Sequence, residues 1–347
     1  MAERNSEKNI ALFQEEKPSL ESYWRSIVLF GINTACYKFS LAQSLLELSK
    51  ENNTSITLHQ LAEKYSENIC RHIQKYPRQS TSNSSSFLAA CQLYIQNQIP
   101  KEELIFITEK KGFNWVLDCF HNVNGSALPV SFFNKSGSKS IVLTDELYKL
   151  QEHNLSQDLF VESESRWNLV ENAWKQKESP EYAYISYDDK SKHLFTAKAL
   201  ERIDITPARG ALNGYQKGKC FYCYADINVT NDSTNTCDVD HFIPFSLQIY
   251  MPEINLNGVW NLVLSCEECN RGANGKFDKI PALKYLERLH KRNEFLISSH
   301  HPLRETIIKQ TSASEIERSI FMKHIFGRAQ EVKPQDWNTI ERNEPTF

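Results

Sequence analysis

Two Cys-x-x-Cys pairs, Cys220/Cys223 and Cys266/Cys269, hold the middle of this chain to one geometry. Four thiolates complete a tetrahedron around a single ion only if the backbone brings both pairs together. Zinc ribbons usually set their pairs roughly 15–20 residues apart. Here residues 224–265 intervene, so the spacing predicts a folded insertion, a β-hairpin, between two metal-binding turns. Disulfides are the competing reading. Residues Met1–Lys17 are charged and lack the apolar core of a signal peptide. The expectation is therefore a reducing cytoplasm, thiols rather than disulfides, and structural Zn²⁺. Cys36, Cys70, Cys91 and Cys119 lie among apolar residues and read as buried small hydrophobes; Cys237 receives no role.

The insertion carries Asp238-Val-Asp240-His241-Phe-Ile-Pro244, and the second pair is followed by Asn270-Arg271-Gly272. Neutral imidazole accepts a proton from water near pH 7, which makes His241 a candidate general base. Asp240 and Asn270 offer hard oxygens suited to Mg²⁺ or Mn²⁺ rather than zinc. Pro244 is expected to stop the strand. Such a group can activate water, neutralise charge on a phosphate and hold the scissile group.

At these residues the segment resembles the HNH, or ββα-metal, endonuclease family. Its pattern of Cys-x-x-Cys, Asp-His-x-x-Pro, Asn-Leu, Cys-x-x-Cys-His/Asn and Lys reads here as Cys220/Cys223, Asp240-His241-Phe-Ile-Pro244, Asn261-Leu262, Cys266/Cys269-Asn270 and Lys276, with Asn270 where many members have histidine. The Asn270-Arg271-Gly272 run and Lys276 are also similar to the HNH domain of RNA-guided CRISPR nucleases. The resemblance covers roughly residues 205–285. It implies a catalytic cation on Asp240 and Asn270, His241 as base, and Asn261 as the residue orienting the histidine loop. Two rivals stand beside these ligands. Asn274 would share a helical face with Asn270 if a helix continued that far, and Asp238 points the same way as Asp240 on a strand.

A balance of 40 basic against 43 acidic residues, net −3, excludes a global attraction to nucleic acid. A local basic run, Arg271, Lys276, Lys279, Lys284, Arg288, Lys291 and Arg292, is the expected contact for phosphates; an ordinary solvated helix face is the plainer reading. Leu283, Leu286 and Leu289 are expected on another face of that helix. Upstream, Thr206-Pro207 reads as the start of a helix over 208–215. Residues 19–50 and 58–76 show apolar groups at helical spacing. Helices are expected near 86–97, 103–121 and 163–177, a hairpin within 129–146, and a linker over 178–192.

The expected fold is α+β and mostly helical. A mainly helical domain with a β-hairpin, residues 1–195, precedes an HNH domain with structural zinc knuckles and C-terminal helices, residues 196–347. The expected activity is metal-dependent hydrolysis of DNA, by nicking or double-strand cleavage, in a bacterial antiphage or restriction setting and under control of a partner protein of that system. A single site cuts one strand, so double-strand cleavage would need a homodimer or sequential nicks. No membrane association is expected, because the apolar stretch at Ile27–Phe30 is too short to span a bilayer. The alternatives are an RNA-directed nuclease or a non-catalytic, zinc-stabilised nucleic-acid-binding module.

Overall fold

The computed structural model describes residues 18–30, 33–51, 53–82, 84–123, 125–151, 155–178, 185–198, 201–230 and 235–347. The chain is α+β, about 52% helix, with small sheets of two or three strands. The described residues fall into two compact units, within Lys17–Glu171 and within Asn172–Phe347.

In the first unit, α1 (Leu20–Leu29) starts where the Ser19 hydroxyl accepts from the Ser22 amide, and α2 (Tyr37–Leu48) follows. Strand β1 (Ser55–Thr57) runs into α3 (Leu58–Lys75) through a reciprocal cap between Thr57 and Gln60. The helical repeat read from the sequence is the buried face: Leu61, Tyr65, Ile69 and Ile73 pack inward, as do Trp24, Ile27, Phe39, Ala42 and Leu45. Helix α4 (Ser86–Ile95) is capped by Ser85. The single helix expected over 103–121 is instead α5 (Lys101–Ile107), a π-helical turn (Thr108–Gly112) and α6 (Val116–Cys119). A Cβ on Gly112 would lie 2.9 Å from the Thr108 methyl, so the wide turn closes only around a glycine. Cys36, Cys70 and Cys91 are buried, whereas Cys119 is exposed on this short helix.

Strands β2 (Asn122–Val123) and β3 (Ser126–Ala127) form a small pair. The hairpin of β4 (Phe133–Ser136) and β5 (Ser140–Leu143) pairs Ser136 with Ser140 and adds β1 at its other edge. Helix α7 (Asp145–Lys149) precedes α8 (Leu155–Glu178). Within the first unit α8 meets α3 through a buried ionic cluster. His72, with no exposed surface, sets Nδ1 2.9 Å from Glu171 and Nε2 3.1 Å from Glu164, and stacks 3.5 Å from the Trp167 ring. Both carboxylates only accept, so the ring carries two protons and a positive charge.

In the second unit, β6 (Ser186–Asp188), β7 (His193–Lys198) and β8 (Glu201–Pro207) form an antiparallel sheet. It straddles residue 195 and occupies part of the stretch read as a linker; residues 179–184 of that stretch lie outside the described residues. Thr206 is paired with Leu194 in the sheet rather than capping a helix, and α9 (Ala208–Gln216) starts at the expected residue with Pro207 in the cap position. The chain leaves α9 through Lys217 and Gly218, both at positive φ. Strand β9 (Asp238–His241) pairs antiparallel with β10 (Leu262–Ser265), and α10 (Glu267–Arg271) follows. Strand β11 (Ile280–Pro281), α11 (Leu283–Ser298), α12 (Arg304–Gln310), α13 (Glu315–Val332) and β12 (Asp336–Trp337) complete the unit. Leu286 and Leu289 of α11 are buried, but Leu283 is exposed at its first turn. No helix among the described residues is long and apolar enough to cross a membrane.

Candidate metal centre and active site

Helix α9 and strand β10 carry the two cysteine turns to each other. The buried Gln216 carboxamide acts as a strand edge: it donates to the Leu264 carbonyl at 2.8 Å and accepts from the Leu264 amide at 2.8 Å. The Phe221 amide donates to the same carbonyl at 2.9 Å. Cys220, Cys223, Cys266 and Cys269 then converge, all four sulfurs within 4.8 Å of one another, with Cys223 and Cys266 3.7 Å apart. Zinc–sulfur bonds of about 2.3 Å place tetrahedral ligands about 3.8 Å apart. The cluster therefore fits a structural metal such as zinc. The C-terminal segment covers the first turn, where the Arg342 amide donates to the Cys223 carbonyl at 2.8 Å.

Between the turns, β9 sends alternate side chains to opposite faces. His241 faces β6. Its Nε2 lies 2.8 Å from the Asn257 side-chain oxygen, and the rings of Tyr187 and Phe245 stand 5.7 and 5.6 Å away. Asn257 is itself fixed, since its carbonyl accepts from the Tyr187 amide at 2.9 Å and its amide donates to the Asn255 side chain at 3.1 Å. An amide oxygen only accepts, so Nε2 carries the proton and Nδ1 keeps the lone pair; among the described residues Nδ1 has no partner. Burial lowers the His241 pKa below its usual 6.5 and Lys276 adds to this, while Asn257 and Asp240 pull upward.

Asn261 pins the loop that follows the histidine. Its buried carboxamide accepts from the Ile243 amide at 2.8 Å and donates to the Ile243 and Leu256 carbonyls, each at 2.9 Å. Arg292, also buried, binds the carbonyls of Val259, Trp260 and Leu262 around that turn.

The two aspartates have different surroundings. Asp240, 6% exposed, accepts from the Tyr222 hydroxyl at 2.6 Å and from the Lys276 ammonium at 3.0 Å, and Lys276 also donates to the His241 carbonyl at 2.8 Å. Both oxygens are engaged. A doubly charged cation brought here meets the ammonium at a cost on the order of 5 kcal/mol in a partly buried setting. The expected Asp240/Asn270 cation site therefore does not fit the arrangement, because a lysine already neutralises the carboxylate. Asn270 instead donates to Asp238 at 3.1 Å, and Arg271 donates to the same Asp238 oxygen at 2.9 Å. Of the two aspartates, Asp238 is the one beside Asn270. Asn274 is excluded as a helical rival: α10 ends at Arg271, and the Asn274 carbonyl accepts from Trp337 at 2.7 Å. Among the described residues the four cysteines are the one group of three or more His, Cys, Asp or Glu ligands that converges.

The basic run also divides. Lys276 and Arg292 are buried, and Arg288 donates to the Phe221 and Tyr222 carbonyls at 2.6 and 3.1 Å. Arg271, Lys279, Lys284 and Lys291 stay exposed. Sequence reasoning missed Tyr187, Asn257 and Tyr222. Asn257, in an Asn-x-Asn-Gly turn, carries a turn signal but nothing that points to His241. Compared with protein-family models, curated proteins and solved structures, the chain matches none.

Proposed function

We propose that the second unit is an HNH-type phosphodiesterase that cuts DNA, with His241 as its general base. The observation that carries this reading is the histidine itself: a half-buried ring, held through Nε2 by Asn257, with Nδ1 unengaged and the following loop clamped by Asn261. In this arrangement Nδ1 takes a proton from water as the oxygen attacks phosphorus in line. The P–O3′ bond breaks, solvent protonates the leaving oxygen, and the product carries a 5′-phosphate. The family's divalent cation enters no step here, since Asp240 is already paired with Lys276.

That same pairing favours a second reading, a zinc-stabilised nucleic-acid-binding module without catalysis. Control by a partner protein, an antiphage role and dimer formation belong to the proposal, and an RNA-directed nuclease is the alternative to DNA cleavage. The experiment incubates wild-type and His241→Ala protein with supercoiled plasmid, linear DNA and RNA, in Mg²⁺, Mn²⁺ or EDTA. Loss of a positioned base lowers the rate by about 10²–10⁴-fold. Equal cleavage by both proteins refutes the assignment of His241, and binding without cleavage by either favours the second reading.

A further inference from the structure

The first unit holds an aromatic residue in a conformation that its own fold does not explain. Trp115 has φ 70° and ψ −34°, on the left-handed side of backbone space, which a bulky residue occupies at a cost of about 1–3 kcal/mol. It immediately precedes α6, three residues after the π-helical turn ends, and is 79% exposed, with its indole among the most exposed large apolar side chains described. Strain and apolar exposure at one residue are both unfavourable for the isolated chain, so their combination points to a ligand.

Beside Trp115 lies a cavity of about 530 Å³, within the roughly 300–1,000 Å³ range of small-molecule sites. Leu117 and Ile141 line it with apolar groups, Asn114 and Ser138 bring an amide and a hydroxyl, Lys135 brings an ammonium, and Asp118 brings the carboxylate that a bound phosphate would have to displace from Lys135. Lys135 is paired with Asp118, but the two side chains are 46% and 61% exposed. Exposed pairs of this kind contribute little and exchange partners readily. A π-face, an apolar lining, hydrogen-bonding groups for a base edge and one cation match the chemistry of a nucleotide.

We infer that this cavity binds a nucleotide, with the base stacked on Trp115 and the phosphate at Lys135. The nucleotide is either free or part of a single strand, and the site is independent of the reading of His241. The same chemistry gives the hairpin of β4 and β5 a purpose, since it supplies Lys135, Ser138 and Ile141 from one short element.

The test uses the full chain carrying His241→Ala, so that no cleavage intervenes. Tryptophan fluorescence and calorimetry follow titration with AMP, with GMP and with a ten-nucleotide single-stranded DNA. Saturable quenching is expected, weakened about tenfold or more by Trp115→Ala, partly kept by Trp115→Phe, and made less salt-dependent by Lys135→Ala. Equal affinity for mononucleotide and oligonucleotide identifies a free nucleotide as ligand; much tighter oligonucleotide binding identifies a strand. Trp115→Gly adds a second readout, because glycine accepts positive φ without strain. It should raise the thermal midpoint of the first unit while abolishing binding. Absence of quenching at millimolar nucleotide and micromolar oligonucleotide, unchanged binding by Trp115→Ala, or a lowered midpoint in Trp115→Gly would each overturn the proposal.

Discussion

Replacing Asn261 by alanine isolates what holds the histidine loop. The side chain has no exposed surface and makes three hydrogen bonds to backbone, one to an amide and two to carbonyls. Alanine leaves the Ile243 amide and the Ile243 and Leu256 carbonyls facing an apolar interior. Each stranded buried group costs about 1–2 kcal/mol, for a total of about 3–6 kcal/mol, with the lower end applying where water fills the gap. Asn261→Asp sharpens the test. Aspartate can still accept from the Ile243 amide, but it cannot donate to either carbonyl and it buries a charge, so the loss should be at least as large. Urea unfolding followed by tryptophan emission measures it, with the second unit's transition fitted separately because a two-unit chain need not unfold in one step. Plasmid cleavage should fall in the same variants even where they remain folded, since His241 loses its fixed orientation. A destabilisation under about 1 kcal/mol for both variants would refute the view that Asn261 is the clamp.

Elemental analysis should find about one zinc per chain, following from one four-thiolate cluster, and Cys220→Ser or Cys269→Ser should lose both the metal and the cooperative unfolding of the second unit. Full stability after complete zinc removal would contradict a structural metal. Because burial holds the His241 pKa below 6.5, the base is already neutral at pH 7. The acid limb of the nicking rate should therefore lie at lower pH than for a free imidazole, and a limb above pH 7 would place the titration on another group. Burial disfavours the charged His72 ring, but hydrogen bonds to Glu164 and Glu171 and their negative charge outweigh it and raise the His72 pKa, while His72 helps lower the Glu164 carboxyl to about 2. The stability His72 contributes is then full below pH 6.5 and lost as pH rises through the raised folded value. His72→Gln should cost the first unit about 3 kcal/mol at pH 6 and flatten its loss of thermal midpoint above neutrality; an unchanged pH slope would show that the imidazolium is not the titrating group.

Much of the architecture was legible before any coordinates because it depends on local pattern. Helical spacing marked Leu61, Tyr65, Ile69 and Ile73 as a core face, turn residues marked the β4–β5 hairpin, and two Cys-x-x-Cys pairs required their segments to meet. Asp238 to Pro244 was readable as a strand and turn with chemical groups on it. What those groups touch was not readable. Lys276 lies thirty-six positions from Asp240 along the chain, yet its ammonium fills the position expected for a cation, and Arg288 and Arg292 spend their charge on backbone carbonyls rather than on an open face. Asn257 reaches His241 because β6 and the Asn255 turn hold it there. Periodicity and spacing reflect interactions a few residues apart. The partner of a buried charge is decided by desolvation, which acts only when distant segments pack and each charged group takes whichever opposite group the fold brings within reach.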